Sequence, residues 1–234
     1  ICPAVATNYF IATDGDDTNS GTIDSPFATL GKAHSLVQAG DTVFIRGGTY
    51  KVAEDEIANK EAGNPNIWVY VFEMNKSGKS ENERICYWGY KDERPIFDLS
   101  DIKPVDRRII VFYVKNSWLH FKNFEITGTQ VTIVGHTQSE CFRNDGGNNN
   151  IYENIAMHDG KAIGFYLVRG FNNLVLNCDA YNNFDYRWDD GKGGNVDSVG
   201  GHTNATGTGN MFRGCRAWYN SDDDFYLINA HTAY

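Results

Sequence analysis

The fold is decided by four stretches of nine residues: WLHFKNFEI (118–126), NNIYENIAM (149–157), NNLVLNCDA (172–180) and GNMFRGCRA (209–217). Within each stretch apolar and polar residues alternate, as they do in a β-strand with one buried face. Aligned positions carry the same type of side chain. The seventh position, for example, holds Phe124, Ile155, Cys178 and Cys215. This combination predicts a solenoid in which successive coils stack like on like and bury an apolar column.

The sixth position of the four stretches holds Asn123, Asn154, Asn177 and Gly214, at intervals of 31 (123 to 154), 23 (154 to 177) and 37 (177 to 214) residues. The shortest interval is close to one bare coil of a parallel β-helix, and the longer ones add loops. We expect the three asparagines to stack at an inward turn, where their amides bond to one another and to main-chain groups.

Composition supports an all-β class. The 234 residues include 24 glycines and 14% aromatic residues, and few stretches show helical spacing. The 41% hydrophobic content is enough to bury one continuous core, so a single domain is sufficient. We therefore predict a right-handed parallel β-helix with one short α-helix near its start.

Residues 1–50 are predicted to form an N-terminal cap, and residues 51–234 the coils of the β-helix. In the cap we expect strands at 8–12 and 41–45 and an amphipathic helix at 26–37. In the following segment, up to residue 83, only the run WVYVF (68–72) is patterned as a strand.

Charge and hydropathy exclude several classes of partner. The net charge of −9 argues against nucleic acid, because phosphate binding requires a cluster of Lys and Arg. No segment has the roughly 20 apolar residues of a membrane helix. The start Ile1-Cys2-Pro3 lacks the features of a signal peptide, so we expect the processed form of a protein that is secreted, periplasmic or at the cell surface, and monomeric.

Carboxylates replace apolar residues at one place in the repeat. Residues 155–168 align without a gap with residues 215–228, which sets Asp222 and Asp223 against Ala162 and Ile163. In the coil between them, Asp197 fits opposite Asp223. Neighbouring strands would then hold these two side chains about 4.8 Å apart.

Stacked carboxylates repel one another and persist at neutral pH with a cation between them or with a raised pKa. A ligand set made of oxygen atoms alone favours calcium over zinc. The residues therefore predict a calcium site at Asp197, Asp222 and Asp223. The alternative is that residues 222–224 are a solvated turn and Asp197 a loop residue, as charge runs often are.

Two resemblances add to this interpretation. Residues 9–50, with the motif SPFATL (25–30), resemble the opening of many secreted β-helix proteins. The segments NVD (195–197) and CRAWYNSDD (215–223) resemble the calcium-binding coils of polysaccharide lyase family nine, which contains pectate and rhamnogalacturonan lyases.

The second resemblance implies a calcium-dependent lyase that cleaves acidic polysaccharide by β-elimination, with Asp197, Asp222 and Asp223 as ligands. The chain departs from the family pattern at Asp224, where the family has glycine, and at Tyr226, where the family has a further aspartate. The family's catalytic lysine lies farther downstream than Tyr234, so no catalytic base is assigned.

Substrate-binding candidates lie in the long insertion at 185–209, namely Lys192, His202 and Arg187, with Trp188 as a sugar-stacking face. Lys161 and Arg169 on the adjacent coil are further candidates, and each of these five basic residues is also compatible with an ordinary surface charge. Trp218 offers another stacking face but equally suits packing between coils. Two other functions stay open. One is a glycoside hydrolase that uses the same carboxylates, and the other is a non-catalytic carbohydrate-binding β-helix.

Overall fold

A computed structural model of the chain describes residues 6–63, 65–135, 138–187, 191–202 and 207–228. These residues form two sheets of parallel strands that run side by side along the molecule, together with one α-helix and one 3₁₀ turn. The α-helix α1 spans Leu30–Leu36 and the 3₁₀ turn spans Glu54–Glu56. No helix within these ranges has the length and apolar character that crossing a membrane requires.

The first sheet contains eleven strands: β1 (Asn8–Ile11), β2 (Thr42–Ile45), β3 (Thr49–Lys51), β6 (Ile85–Gly89), β7 (Ile96–Asp98), β9 (Leu119–Thr127), β11 (Ile151–His158), β13 (Leu174–Leu176), β14 (Asp179–Tyr181), β16 (Met211–Arg213) and β17 (Arg216–Trp218). The second sheet contains seven: β4 (Asn59–Ala62), β5 (Trp68–Met74), β8 (Arg108–Val114), β10 (Ser139–Asp145), β12 (Ala162–Arg169), β15 (Val199–His202) and β18 (Phe225–Ile228). All named strand pairs are parallel except β4 with β5.

Each coil of the repeat region contributes to both sheets, which makes the fold a parallel β-helix and confirms the predicted architecture. The predicted like-on-like stacking is present, since Phe124 pairs with Ile155 and Met157 with Ala180. The interior is filled by aromatic ladders. Phe112 stacks on Phe142 with ring centroids 4.6 Å apart, and Phe121 stacks on Tyr152 at 5.4 Å.

The helix α1 is shorter than the predicted span of 26–37, and it begins after Thr29, whose side chain accepts a hydrogen bond from the Lys32 N–H. The preceding residues are instead bonded to the first strand: Phe27 N–H donates to the Phe10 carbonyl at 2.9 Å. The strands predicted at 8–12, 41–45 and 68–72 correspond to β1, β2 and β5. The boundary of the cap at residue 50 stays a prediction.

The asparagines at the sixth position of the repeat do not point inward, contrary to our expectation. Asn123, Asn154, Asn177 and Gly214 all have positive φ, between 51° and 64°. They form a stacked bend on the outside of the first sheet, and Asn154 donates to the Asn123 side chain at 3.1 Å. Asparagine and glycine tolerate this left-handed conformation better than other residues do, which explains their recurrence here.

The inward ladder lies instead at the second position of the repeat, in Asn150, Asn173 and Asn210, which are all at most 4% exposed. The side-chain oxygen of Asn173 accepts from the Asn150 N–H at 2.9 Å, and that of Asn210 accepts from the Asn173 N–H at 3.0 Å. The ladder satisfies buried main-chain groups at a corner that every coil turns.

Candidate metal centre

The carboxylates Asp197 and Asp223 immediately precede strands β15 and β18, and the register of the second sheet brings them together. Val199 pairs with Phe165 on one side and with Phe225 on the other, which extends two residues back to place Asp197 between Ile163 and Asp223. Main-chain bonds continue this register: Ser198 N–H donates to the Asp223 carbonyl at 3.0 Å. The ungapped alignment of the repeats therefore matches the spatial alignment.

Three carboxylates converge at this point. Asp197, Asp222 and Asp223 each direct an oxygen into a group whose members all lie within 4.8 Å of one another. Asp197 is buried, with 6% of its surface exposed, whereas Asp222 and Asp223 are exposed. The cluster thus has a closed side formed by the preceding coil and an open side toward solvent.

The electrostatics of the cluster are those of crowded like charges. Burial, followed by the charges of Asp222 and then Asp223, raises the pKa of Asp197 to about 7. Burial, followed by the charge of Asp223, also raises the pKa of Asp222. A divalent cation would remove this repulsion, and three carboxylate oxygens without sulfur or imidazole are the donors that calcium prefers.

Glycine permits the close approach of β12 to the coil that carries Asp197. A Cβ atom on Gly164 would lie 2.6 Å from the Ser198 carbonyl oxygen and 2.7 Å from the Ala180 Cβ. Because real Cβ atoms do not approach other atoms so closely, β12 can pack against the segment that holds Asp197 only with glycine at position 164.

The remaining candidates are not gathered around the cluster in the same way. The Arg187 guanidinium donates to the Thr132 carbonyl at 3.0 Å, and Arg169 pairs with Asp145 at 2.7 Å. Lys192 is exposed in the turn that precedes the cluster. The main chain of His202 ends β15, but its side chain and the whole of Trp188 lie outside the described residues.

Two weaker candidates have other surroundings. Trp218 stacks on Tyr181 with ring centroids 4.4 Å apart and an interplanar angle of 5°, so it packs between coils. Lys161 borders a cavity of about 270 Å³ that is also lined by Asp159 and Tyr186.

A polar cluster on the outer face of the second sheet, centred on Glu140 and Arg143, was not predicted from the sequence. Glu140 is 1% exposed, and it accepts a hydrogen bond from Arg143 at 2.7 Å. The signal in the sequence was the charged pair Glu140 and Arg143, spaced three residues apart on either side of the apolar Cys141 and Phe142.

The fold and the site together make this protein a parallel β-helix with a cluster of three carboxylates beside one sheet. Comparison with known families makes this assignment more specific. The family model described as "Pel9A-like, right handed beta helix region" matches residues 9–234. The chain therefore belongs to the Pel9A-like right-handed β-helix family.

Individual relatives agree with this assignment. Pectate lyase L of Dickeya dadantii is 30% identical over 225 residues, which cover 95% of this chain and 47% of that protein. Pectate lyase PEL9 of Emericella nidulans is 28% identical over 236 residues, which cover 97% of this chain and 52% of that protein. The chain thus spans about half the length of the curated relatives it matches.

Solved structures show the same similarity. A rhamnogalacturonan lyase is 54% identical with a TM-score of 0.91, and the match covers 96% of this chain and 54% of that one. Pectate lyase Pel9A is 27% identical with a TM-score of 0.72, and the match covers 96% of this chain and 50% of that one.

Proposed function

We propose that this chain is a calcium-dependent polysaccharide lyase, or the β-helical part of one, acting on uronate-containing polysaccharide such as pectin or rhamnogalacturonan. The observation that carries the proposal is the convergence of the Asp197, Asp222 and Asp223 oxygens within 4.8 Å. The relatives described above, which are pectate and rhamnogalacturonan lyases, support the reaction type. An extracellular location fits a polymeric substrate.

In this proposal each part of the cluster has a distinct task. Asp197 is fixed by the main chain, because its own carbonyl accepts from the Gly164 N–H and the next N–H donates to the adjacent coil. Asp222 and Asp223 complete the ligand set from the exposed side, where a sugar carboxylate can approach. Bound calcium would neutralise that carboxylate and so acidify the C5 hydrogen of the uronate.

The β-elimination that follows requires a general base to remove this hydrogen and then cleavage of the O4 glycosidic bond. We assign no base among the described residues. The residues placed here account for cation binding and for substrate orientation.

The geometry favours a cation site over a hydrolase pair. Glycoside hydrolases separate their two carboxyl groups by about 5–5.5 Å or about 6.5–9.5 Å, which leaves room for the sugar or for a water molecule. Here a third carboxylate joins the pair, and one oxygen from each of the three residues lies within 4.8 Å of the other two, which suits a cation held between them.

The test is to incubate the chain with polygalacturonate and, separately, with rhamnogalacturonan, in calcium and in chelator, and to follow the ultraviolet absorbance of unsaturated product. We expect product only with calcium and a large loss in the Asp197→Asn variant. Asp224→Asn is the control, since Asp224 is a neighbouring exposed carboxylate outside the cluster. Reducing ends without unsaturated product would indicate a hydrolase, and binding without cleavage a non-catalytic protein.

A further inference from the structure

One row of outward-facing residues crosses the second sheet in register and ends at the aspartate cluster. It contains Tyr113, Arg143, Tyr166, Gly200 and Tyr226 on five successive strands. The neighbouring row of phenylalanines lies in the core, so strand alternation turns this row to the outer face. A Cβ atom on Gly200 would lie 3.5 Å from a side-chain oxygen of Asp197, so this face is continuous with the candidate metal centre.

Arg143 is held in this row with its planar group in a fixed position. The guanidinium carbon lies 5.3 Å from the Trp68 ring centroid and 5.6 Å from that of Tyr166. Its Nη1 donates to Glu140 at 2.7 Å, and its Nε lies 3.5 Å from an oxygen of Asp145. An arginine fixed in this way keeps a rigid set of donors whose geometry matches a carboxylate.

The part of this face formed by β5, β8, β10 and β12 is locally cationic, although the chain as a whole and the neighbouring aspartate cluster are acidic. Four cations lie on it or beside it, against three carboxyl groups: Arg108, Lys115, Arg143 and Arg169 against Glu73, Glu140 and Asp145. Burial raises the pKa of Glu140 to about 7, and its Oε2 is buried without a hydrogen-bond partner among the described residues.

Tyr166 brings an aromatic face toward the aspartate cluster. A Cβ atom on Gly200 would lie 2.6 Å from the Cδ2 atom of Tyr166, so the ring lies over the glycine of the next coil. Aromatic faces next to a fixed donor are suited to the apolar face of a sugar ring.

We propose that Arg143, with Tyr166 as a stacking face, binds the carboxylate of an acidic sugar unit adjacent to the unit held at Asp197, Asp222 and Asp223. Two strand spacings separate β10 from β15, a distance of roughly 10 Å along the stack. A polyuronate lying along this face contacts both sites at once. This inference rests on the proposed function for its substrate class, but it concerns direct binding by arginine and not the cation site.

The test measures binding of polygalacturonate to the full chain in excess chelator, with neutral galactan of matched length for comparison. We expect tighter binding of polygalacturonate, and a loss of at least about tenfold in Arg143→Gln, which removes a charge-assisted hydrogen bond. Arg216→Gln is the matched control. Arg216 also pairs with a carboxylate, Asp179, and lies over Trp218, but on the other sheet.

A second variant keeps the test decisive if Arg143→Gln does not fold because Glu140 loses its partner. Tyr166→Leu retains the arginine and removes the stacking face, and we expect it to weaken binding while the melting temperature stays near that of the wild type. Equal binding of the acidic and neutral polymers, or unchanged binding in folded variants, overturns the inference.

The two proposals fail in different ways. If no unsaturated product forms but binding depends on Arg143, the lyase proposal fails and the inference stands. If product forms with an unchanged KM in folded Arg143→Gln, the lyase proposal stands and the inference fails.

Discussion

Asp197 and Asp223 occupy the same place on neighbouring coils, because the residue after Asp197 donates its N–H to the Asp223 carbonyl at 3.0 Å. The pairing of two acids is thus imposed by the main chain and does not depend on side-chain preference. Folding brings the like charges together. A bound cation would relieve their repulsion, and this relief would favour cation binding.

Asp197→Asn is expected to weaken calcium binding while it stabilises the calcium-free protein. It removes a ligand, and it also removes a buried carboxyl group whose pKa is raised to about 7. We expect a gain on the order of 1–3 kcal/mol in chelator at pH 8 and a much smaller increase of the melting temperature on adding calcium. Thermal unfolding with and without calcium measures both effects, and a wild-type-sized calcium shift in the variant contradicts the ligand assignment.

The stability of the calcium-free protein should contain a component that falls as pH rises from about 4 to about 7. The pKa of Asp197 is raised in the folded state, so between these values the folded chain holds a proton that the unfolded chain has released. Its contribution is fully present below the unfolded pKa and is lost as pH passes the folded one. Denaturant unfolding in chelator should show a larger fall in the wild type than in Asp197→Asn, where the raised pKa values of Asp222 and Glu140 remain. Parallel pH profiles would argue against the shift.

Asn173→Ala is expected to destabilise the protein by roughly 1–3 kcal/mol, because it leaves the Asn150 N–H buried without a partner and removes one of the two donors to the Gly147 carbonyl. The matched control is Asn177→Gly, four residues along the same coil. Asn177 is exposed with positive φ, and glycine already occupies that position as Gly214. We expect a change there of less than about 1 kcal/mol. Equal losses from the two changes would contradict the ladder's role.

Gly164→Ala should push β12 away from the coil that carries Asp197. The added methyl group would meet the Ser198 carbonyl at 2.6 Å, so we expect a loss of several kcal/mol, or a displaced Asp197 with weaker calcium binding. The control is Gly31→Ala in α1, where nothing lies within 4 Å of the new atom. That change should stabilise by about 0.5–1 kcal/mol. Unfolding curves and calcium titration of both variants provide the comparison.

Much of the fold could be predicted from the sequence because each coil of a solenoid repeats the same pattern of side-chain types. The position of Phe124, Ile155 and Cys178 shows the buried column, and the small or polar residue followed by an apolar one after both Asp197 and Asp223 aligns these two aspartates without any structural knowledge. The span predicted for helix α1 was too long, because the hydrogen bonds that tie Phe27 to β1 connect residues that are distant in sequence. The sequence predicted that Asn154 points inward, whereas in the structure Asn150 does. Both positions recur in the repeats with the same spacing, and only the positive φ at Asn154 distinguishes them.

The outer-face cluster could not be predicted in the same way. Arg143 lies near Trp68, 75 residues earlier in the chain (143 to 68), and the lengths of the intervening coils differ. Neither residue recurs in the aligned stretches, so no repeat signals their contact. The surroundings of Arg187 and Trp218 depend likewise on where loops and neighbouring coils meet.

The strands of the second sheet keep their register although the chain travels 23 residues from Phe142 to Phe165, 34 from Phe165 to Val199 and 26 from Val199 to Phe225. The register of strand pairing is therefore independent of the number of residues that connect successive strands. Such a scaffold lets evolution exchange, lengthen or remove the excursions while leaving every paired rung in place. A protein engineer can use the same freedom to graft new surface segments beside the aspartates.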